Sequence, residues 1–390
     1  MVGHFPSYLE RRHHIVFLRK KHSKAQTLVG SRVQRTLTGP GRQTTAKPNL
    51  GLARMDRATQ SGTTMKFPPT LSLLYSIPLA FGLLSAEAQE NLSLKKTEET
   101  IILSRGETPV LTYHIAEVPP PKGVDKIYNR SGFIYPMYAP SGGIVTGIHP
   151  ADHYHHIGLW HAWVNTKYDD RKGPDFWNLG RKTGRIRHAK VKEIRDAGFT
   201  VIQEHLGYLD GIKAEPTVIL SETLSVDAAF VNGANVIDYV MTQKNVTKKA
   251  LVFPAYRYGG GLAYRAPHSW NKKNSDYLTS EGLDRTNSHA TRANWVAMHG
   301  PAEKGKGKVA TVTVLCHPKN HDAPQRIRTW DNGKVFFNYV PVQETSWSIQ
   351  PGKSITLRYR IVISDGKADA KAIEMRWKAY RQKKLPVKKG

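Results

Sequence analysis

From Ser354 to Ser364 the chain alternates one for one. Ile355, Leu357, Tyr359, Ile361 and Ile363 share one side, and Thr356, Arg358 and Arg360 take the other. A period of two suits a strand lying on a core, whereas in a helix it would scatter the apolar set around the axis. Similar runs recur at 97–104, 184–194, 199–209, 216–226, 235–245 and 308–316. Turn signals separate them, among them Asp196-Ala197-Gly198, Asn232-Gly233 and Asp331-Asn332-Gly333. Many closely spaced strands with no helices between them predict a mostly β chain, an antiparallel β-sandwich. One helix is expected, at the C-terminus, where Ala370, Ile373, Trp377 and Tyr380 form a stripe. Cys316 is the only cysteine, so no internal disulfide can staple the fold. Inside the apolar run Val312 to Cys316 it reads as a buried, inert thiol.

The first 88 residues stand apart. Met65-Lys66, the apolar stretch Leu71 to Leu84 and then Ala86-Glu87-Ala88 have the layout of a secretory signal peptide cut after Ala88. The stretch is shorter than the roughly 20 apolar residues of a spanning helix, and Pro78 interrupts it. Residues 1–64 are then expected to precede the true start. The mature chain would be a single secreted or periplasmic domain over 89–390, with no transmembrane segment. Of the net charge of +27, residues 1–64 carry +10 and residues 89–390 carry +17. Nucleic-acid binding is the usual reading of so basic a chain. It is set aside because the charge is spread thinly and export separates the protein from nucleic acid. Anionic glycans or a negatively charged envelope surface are the partners such a charge favours.

Five of the 17 histidines fall within thirteen residues, at His149, His153, His155, His156 and His161, beside Asp152 and the ring pair Trp160 and Trp163. Imidazole can donate, accept, carry a proton near neutrality or bind a metal. If the segment is extended, His153, His155 and His161 share one parity, and His156, Gly158 and Trp160 the other. His155 and His156 then point apart, and a divalent metal would take two or three ligands from Asp152, His153 and His155. The spacing matches no standard metal motif. Without a metal, His155 or His156 would act as base or acid, with Glu281 as its complement.

Two irregular stretches interrupt the strands. Val118 to Gly132 leads toward the histidines, and Arg265 to Asn294 carries Trp270, Tyr277, Glu281 and Arg285. Loops longer than about 15 residues are usually functional or disordered, and this one is expected to wall a pocket. Arg257, followed by Tyr258 and three glycines, suggests either close backbone approach to a ligand or a tight strand bend. His188, His317 and Asn320 lie at strand ends, where site residues often sit.

The string His-Pro-x-Asp-His-x-His-His-x-Gly-Leu-Trp at 149–160, followed by Asp175-Phe176-Trp177, resembles the PmoA-like family of secreted bacterial proteins. Arg257 to Leu262, Ser280-Glu281-Gly282 with Arg285, and His317-Pro318 with Asn320 extend the resemblance along the mature chain. The close Pro351-Gly352-Lys353 before a strand is similar to galactose-mutarotase-like β-supersandwich proteins. That resemblance implies a sugar cleft containing His, Arg and Glu. Trp160, Trp163, Trp177 and Trp270 could then stack on sugar rings, and Arg257 and Arg285 could bind hydroxyls or carboxylates. For Trp163 and Trp177 core packing is the stronger alternative. The resulting expectation is a carbohydrate-active protein using acid–base chemistry. The alternatives are a metal-dependent hydrolase or oxidase and a non-catalytic glycan-binding protein.

Overall fold

The computed structural model describes residues 92–304 and 308–382. The expected signal segment at 65–88 and the extension before it lie outside the described residues. Two eight-stranded antiparallel sheets dominate. The first runs, in spatial order, through Leu92–Lys96, Thr100–Arg105, Thr108–His114, Ile134–Met137, Leu159–His161, Leu262–Arg265, Phe336–Val340 and Arg326–Arg328. The second runs through Asp276–Thr279, Trp295–Pro301, Val309–Cys316, Ser354–Asp365, Ala234–Asn245, Thr217–Val231, Gly198–Gly207 and Gly184–Arg195. A four-stranded sheet joins Trp347–Ile349, Leu251–Phe253, Lys167–Tyr168 and Arg171–Lys172.

The inward faces of the two large sheets make one core, the sandwich the alternation predicts. Tyr339 stacks on Tyr359 at 5.4 Å between ring centres, and Tyr113 meets Phe199 at 5.2 Å. In Ser354–Asp365 the inward set is Leu357, Tyr359, Ile361 and Ile363, all buried. Every second residue therefore faces the core, as the period requires.

The helix Ala370–Gln382 closes a second, smaller core on the outside of the second sheet, where Ile373, Trp377 and Tyr380 cover Trp295, Leu315 and Val362. Asp369 starts it, its Oδ1 accepting from the backbone nitrogens of Lys371 (2.9 Å) and Ala372 (3.1 Å). Trp377 Nε1 donates to the Cys316 carbonyl at 3.1 Å, so the helix seals the end of that strand. Cys316 is buried, and burial pushes its thiol up to about 11, which keeps it unreactive near neutral pH.

The segment expected to be irregular from Arg265 to Asn294 is partly strand. Arg265 ends Leu262–Arg265, and Asp276–Thr279 pairs with Trp295–Pro301 at the edge of the second sheet. Tyr277 and Thr279 face inward there. Two inward residues among polar neighbours are too short a pattern to stand out in sequence.

Candidate functional site

The histidine segment is not extended. Two consecutive turns, closed by His153 N donating to Pro150 O (2.8 Å) and His156 N to His153 O (2.9 Å), fold it back on itself. Ile148 bridges Ile157 at the base. Gly158 follows at φ +61°, where an added Cβ would lie 2.3 Å from the Ile134 carbonyl oxygen, so the exit from the turns requires glycine. The expected parity therefore fails. Rather than pointing apart, the rings of His155 and His156 sit 4.7 Å apart edge to face, and His153 stacks on His156 at 4.8 Å.

His153, His155 and His156 line a cavity of about 160 Å³ with Trp177, Asn178, Arg257, Tyr258, Arg328, Trp330 and Phe336. It opens on the face of the first sheet turned away from the second. Trp160, wholly buried, packs beneath it against His156 and Trp177, each at 5.2 Å. It supports the cavity without reaching its surface. Asp175 fixes one wall. Its carboxylate accepts from the backbone nitrogens of Trp177 (3.0 Å) and Asn178 (2.8 Å), from Asn178 Nδ2 (2.9 Å) and from Arg181 Nη1 (2.8 Å). Asn178 Nδ2 also reaches the Tyr258 hydroxyl at 3.2 Å.

The glycines after Tyr258 serve packing within the chain. An added Cβ on Gly260 would lie 2.1 Å from Trp163, and one on Gly261 2.1 Å from the Tyr339 carbonyl oxygen. The tight bend, rather than approach to a ligand, is what needs them. Trp163 is core, stacked on Phe253 at 3.7 Å, and Trp270 is buried with its indole N–H on Pro301 O.

Electrostatics set the protonation of the histidines. Burial, reinforced by His153 and Arg130, pushes His155 down to about 3. Burial, with His155, Arg265, His153 and Arg328 adding to it, holds His156 well below its ordinary range. Both rings are therefore neutral at pH 7. Partial burial pushes the Asp152 carboxyl up, but hydrogen bonding to Lys334 and His153 outweighs it and brings it to about 2. Asp152 Oδ2 lies 3.1 Å from His153 Nδ1, and Lys334 pairs with the same oxygen.

The other expected site residues lie elsewhere. Glu281 is exposed on the turn after Asp276–Thr279, accepting from Ser280 Oγ at 3.0 Å, and does not line the cavity. His188 contacts the Tyr113 hydroxyl at 3.0 Å. His317 is buried under Tyr380, and Asn320 ties to both backbone groups of Arg358. Arg285 donates to Ser275 O (2.7 Å) and to Trp330 O (3.4 Å), so it braces a cavity residue from behind. Arg328, Trp330 and Tyr258 were not expected at the site. The alternation Arg326-x-Arg328-x-Trp330 was the available sign that one sheet face carries them.

Asp152, His153 and His155 do not present three converging ligand atoms. Among the described residues, His161, His205 and Glu222 do, within 4.8 Å of one another and fully enclosed between the sheets. His205 Nε2 donates to Glu222 Oε2 at 2.9 Å, and Gln243 Nε2 to the same oxygen at 2.8 Å. Gln243 Nε2 also contacts His161 Nε2. The donor types suit a divalent transition metal. However, Trp163 Nε1, which can only donate, bonds Gln243 Oε1 at 2.7 Å and so turns the amide N–H groups toward the cluster. The amide therefore competes with a cation for Glu222 Oε2 and His161 Nε2.

Distant structural likenesses exist. A galactose mutarotase related enzyme from Lactobacillus acidophilus aligns at 9% identity and a TM-score of 0.37, covering 71% of this chain and 97% of that one. A putative mutarotase from Salmonella typhimurium aligns at 7% and 0.32, covering 72% and 96%. A heparan sulfate lyase from Pedobacter heparinus aligns at 7% and 0.31, covering 72% of this chain and 36% of that one. Similarity at this level fixes neither substrate nor reaction. No curated protein matches the chain. Residues 100–378 match a family described as being of unknown function, DUF6807, and the chain belongs to that family.

Proposed function

We propose that the protein binds a sugar in the cavity beside His155 and carries out acid–base chemistry on it, outside the cytoplasm if residues 65–88 act as a signal. One observation carries this reading: three histidines, two of them held neutral, share one cavity with Trp177, Trp330 and two arginines. A cavity of about 160 Å³ is below the roughly 300–1,000 Å³ of sites for drug-sized ligands, and suits a single ring. The partly exposed Trp330 indole offers apolar surface to the ring's C–H groups, whereas Trp177, 2% exposed, is core, as the packing alternative predicts. His155, neutral and partly exposed, acts as the base. His153, beside the Asp152 carboxylate and 5.6 Å from the His155 ring, is the candidate acid. Glu281 has no part in this pair.

The test is to screen reducing monosaccharides and their methyl glycosides by NMR, reading both binding and conversion. His155→Ala is expected to lower turnover by about 10²–10⁴-fold while binding persists. Undiminished turnover in both His155→Ala and His153→Ala would overturn the acid–base reading. Binding without conversion by the unaltered protein would make it a glycan-binding module.

A further inference from the structure

No aspartate or glutamate lines the cavity, although two guanidiniums do. Arg257 and Arg328 flank the Tyr258 ring, at 5.8 Å and 5.4 Å from its centre. Neither has a carboxylate partner among the described residues, whereas Arg181, Arg185, Arg187, Arg195, Arg292 and Arg360 all do. They also lie close enough to repel, since Arg257 is among the charges that disfavour the protonated form of Arg328, after burial itself. A third guanidinium backs them. Arg265, only 4% exposed, packs 5.3 Å from the Trp330 ring with its Nη1 enclosed and unpartnered. The two nearby acids are already engaged, Asp152 by Lys334 and His153, and Asp175 by Arg181 and Asn178. Like charges held together in a partly enclosed space are costly unless a counter-charge arrives.

We infer that the cavity takes a sugar bearing an anionic group, a carboxylate or a sulfate, which sits between Arg257 and Arg328. This deepens the sugar-binding reading and rests on it. The planar guanidinium fork matches a carboxylate or sulfate oxygen pair, as a lysine would not. Both forks line the one cavity and lie close enough to repel, so a single anion between them would relieve both. The partly exposed His155 and Trp330 are left for the ring itself.

The experiment is calorimetric titration of the full chain with glucuronate, glucose 6-sulfate, glucose and inorganic sulfate, at low and high sodium chloride. One or both anionic sugars should bind at least about tenfold more tightly than glucose, with salt weakening that preference. Which of the two wins identifies the anion. In Arg257→Gln and Arg328→Gln the preference should collapse, and Arg328→Lys should restore it only in part. Equal affinity for glucose and both anionic sugars would overturn this inference and leave the sugar reading standing. No binding of any sugar, with or without binding of inorganic sulfate, would overturn both.

Discussion

The two faces of one short strand meet histidine in opposite circumstances. Leu159–His161 puts Trp160 under the cavity, against His156, and His161 into the core, beside His205 and Glu222. In the core, Gln243 and Trp163 extend the hydrogen bonds around the one carboxylate, while its Oε1 and the Nδ1 atoms of His161 and His205 have no partner. Arg130, also enclosed, lies close enough to feel the same carboxylate. At the cavity, His156 Nδ1 and the Trp160 indole N–H have no partner, and the surrounding charge is unbalanced. The core set gathers its donors on one carboxylate out of reach of solvent, while the cavity set has no carboxylate and lies open to a ligand. Residue type alone does not separate the two cases.

Removing the carboxylate should test that contrast most severely. Glu222→Ala leaves His205, Gln243 and Arg130 enclosed without their counter-charge, and should cost about 3–5 kcal/mol in urea unfolding. A chelator should leave the unfolding midpoint of the unaltered protein unchanged. A clear drop would mean that a cation, and not Gln243, joins the three side chains.

Acid should separate the two regions next. Burial, against the opposing pull of Glu222, holds His161 down at about 4. The unfolded chain therefore takes up a proton that the native state refuses between pH 6.5 and about 4. Its contribution is complete above pH 6.5 and is lost as pH falls toward 4, on the order of 3 kcal/mol. His155 acts in the same direction. Unfolding measured at pH 7.5 and pH 4.5 gives the loss. If a bound anionic sugar made the fall shallower, the cavity histidines would be shown to sense the ligand. An unchanged slope would assign the fall to the core.

The smallest effect is expected where the sequence pointed and the fold did not follow. Glu281→Gln changes an exposed turn, so stability should stay within about 0.5 kcal/mol and turnover should not move. A large loss of turnover would return Glu281 to the chemistry and break the division between the regions.

The strand pattern was legible because burial against a continuous core repeats over ten or more residues, as in Ala234–Asn245 and Ser354–Asp365. The terminal helix was legible for the same reason, its stripe being Ile373, Trp377 and Tyr380. The histidine cluster was also visible as a cavity former, and so was Arg257. Its geometry was not, because two tight turns override the parity of a strand. Tyr258, Arg328 and Trp330 were obscured because each belongs to a segment whose meaning depends on its neighbours in the sheet. Glu222 was missed for a related reason. It occupies an inward position of Thr217–Val231 between Leu220 and Leu224, and only the cross-strand Gln203 and Gln243 make sense of a carboxylate there.

The order of strands in the first sheet has a consequence for how the protein is made. Leu159–His161 lies beside Leu262–Arg265, which lies beside Phe336–Val340, and that strand lies beside Arg326–Arg328. While the last of these pairings is a local hairpin, the first two join stretches far apart along the chain. Pairing of this kind is slow, because loop closure must come before the contacts that reward it. The turn bearing His153 to His156 can form early, but its opposite wall arrives only with Arg328 and Trp330. Recognition would therefore be among the last properties the folding chain acquires, and a fragment ending before Arg326 would lack one of the two guanidiniums.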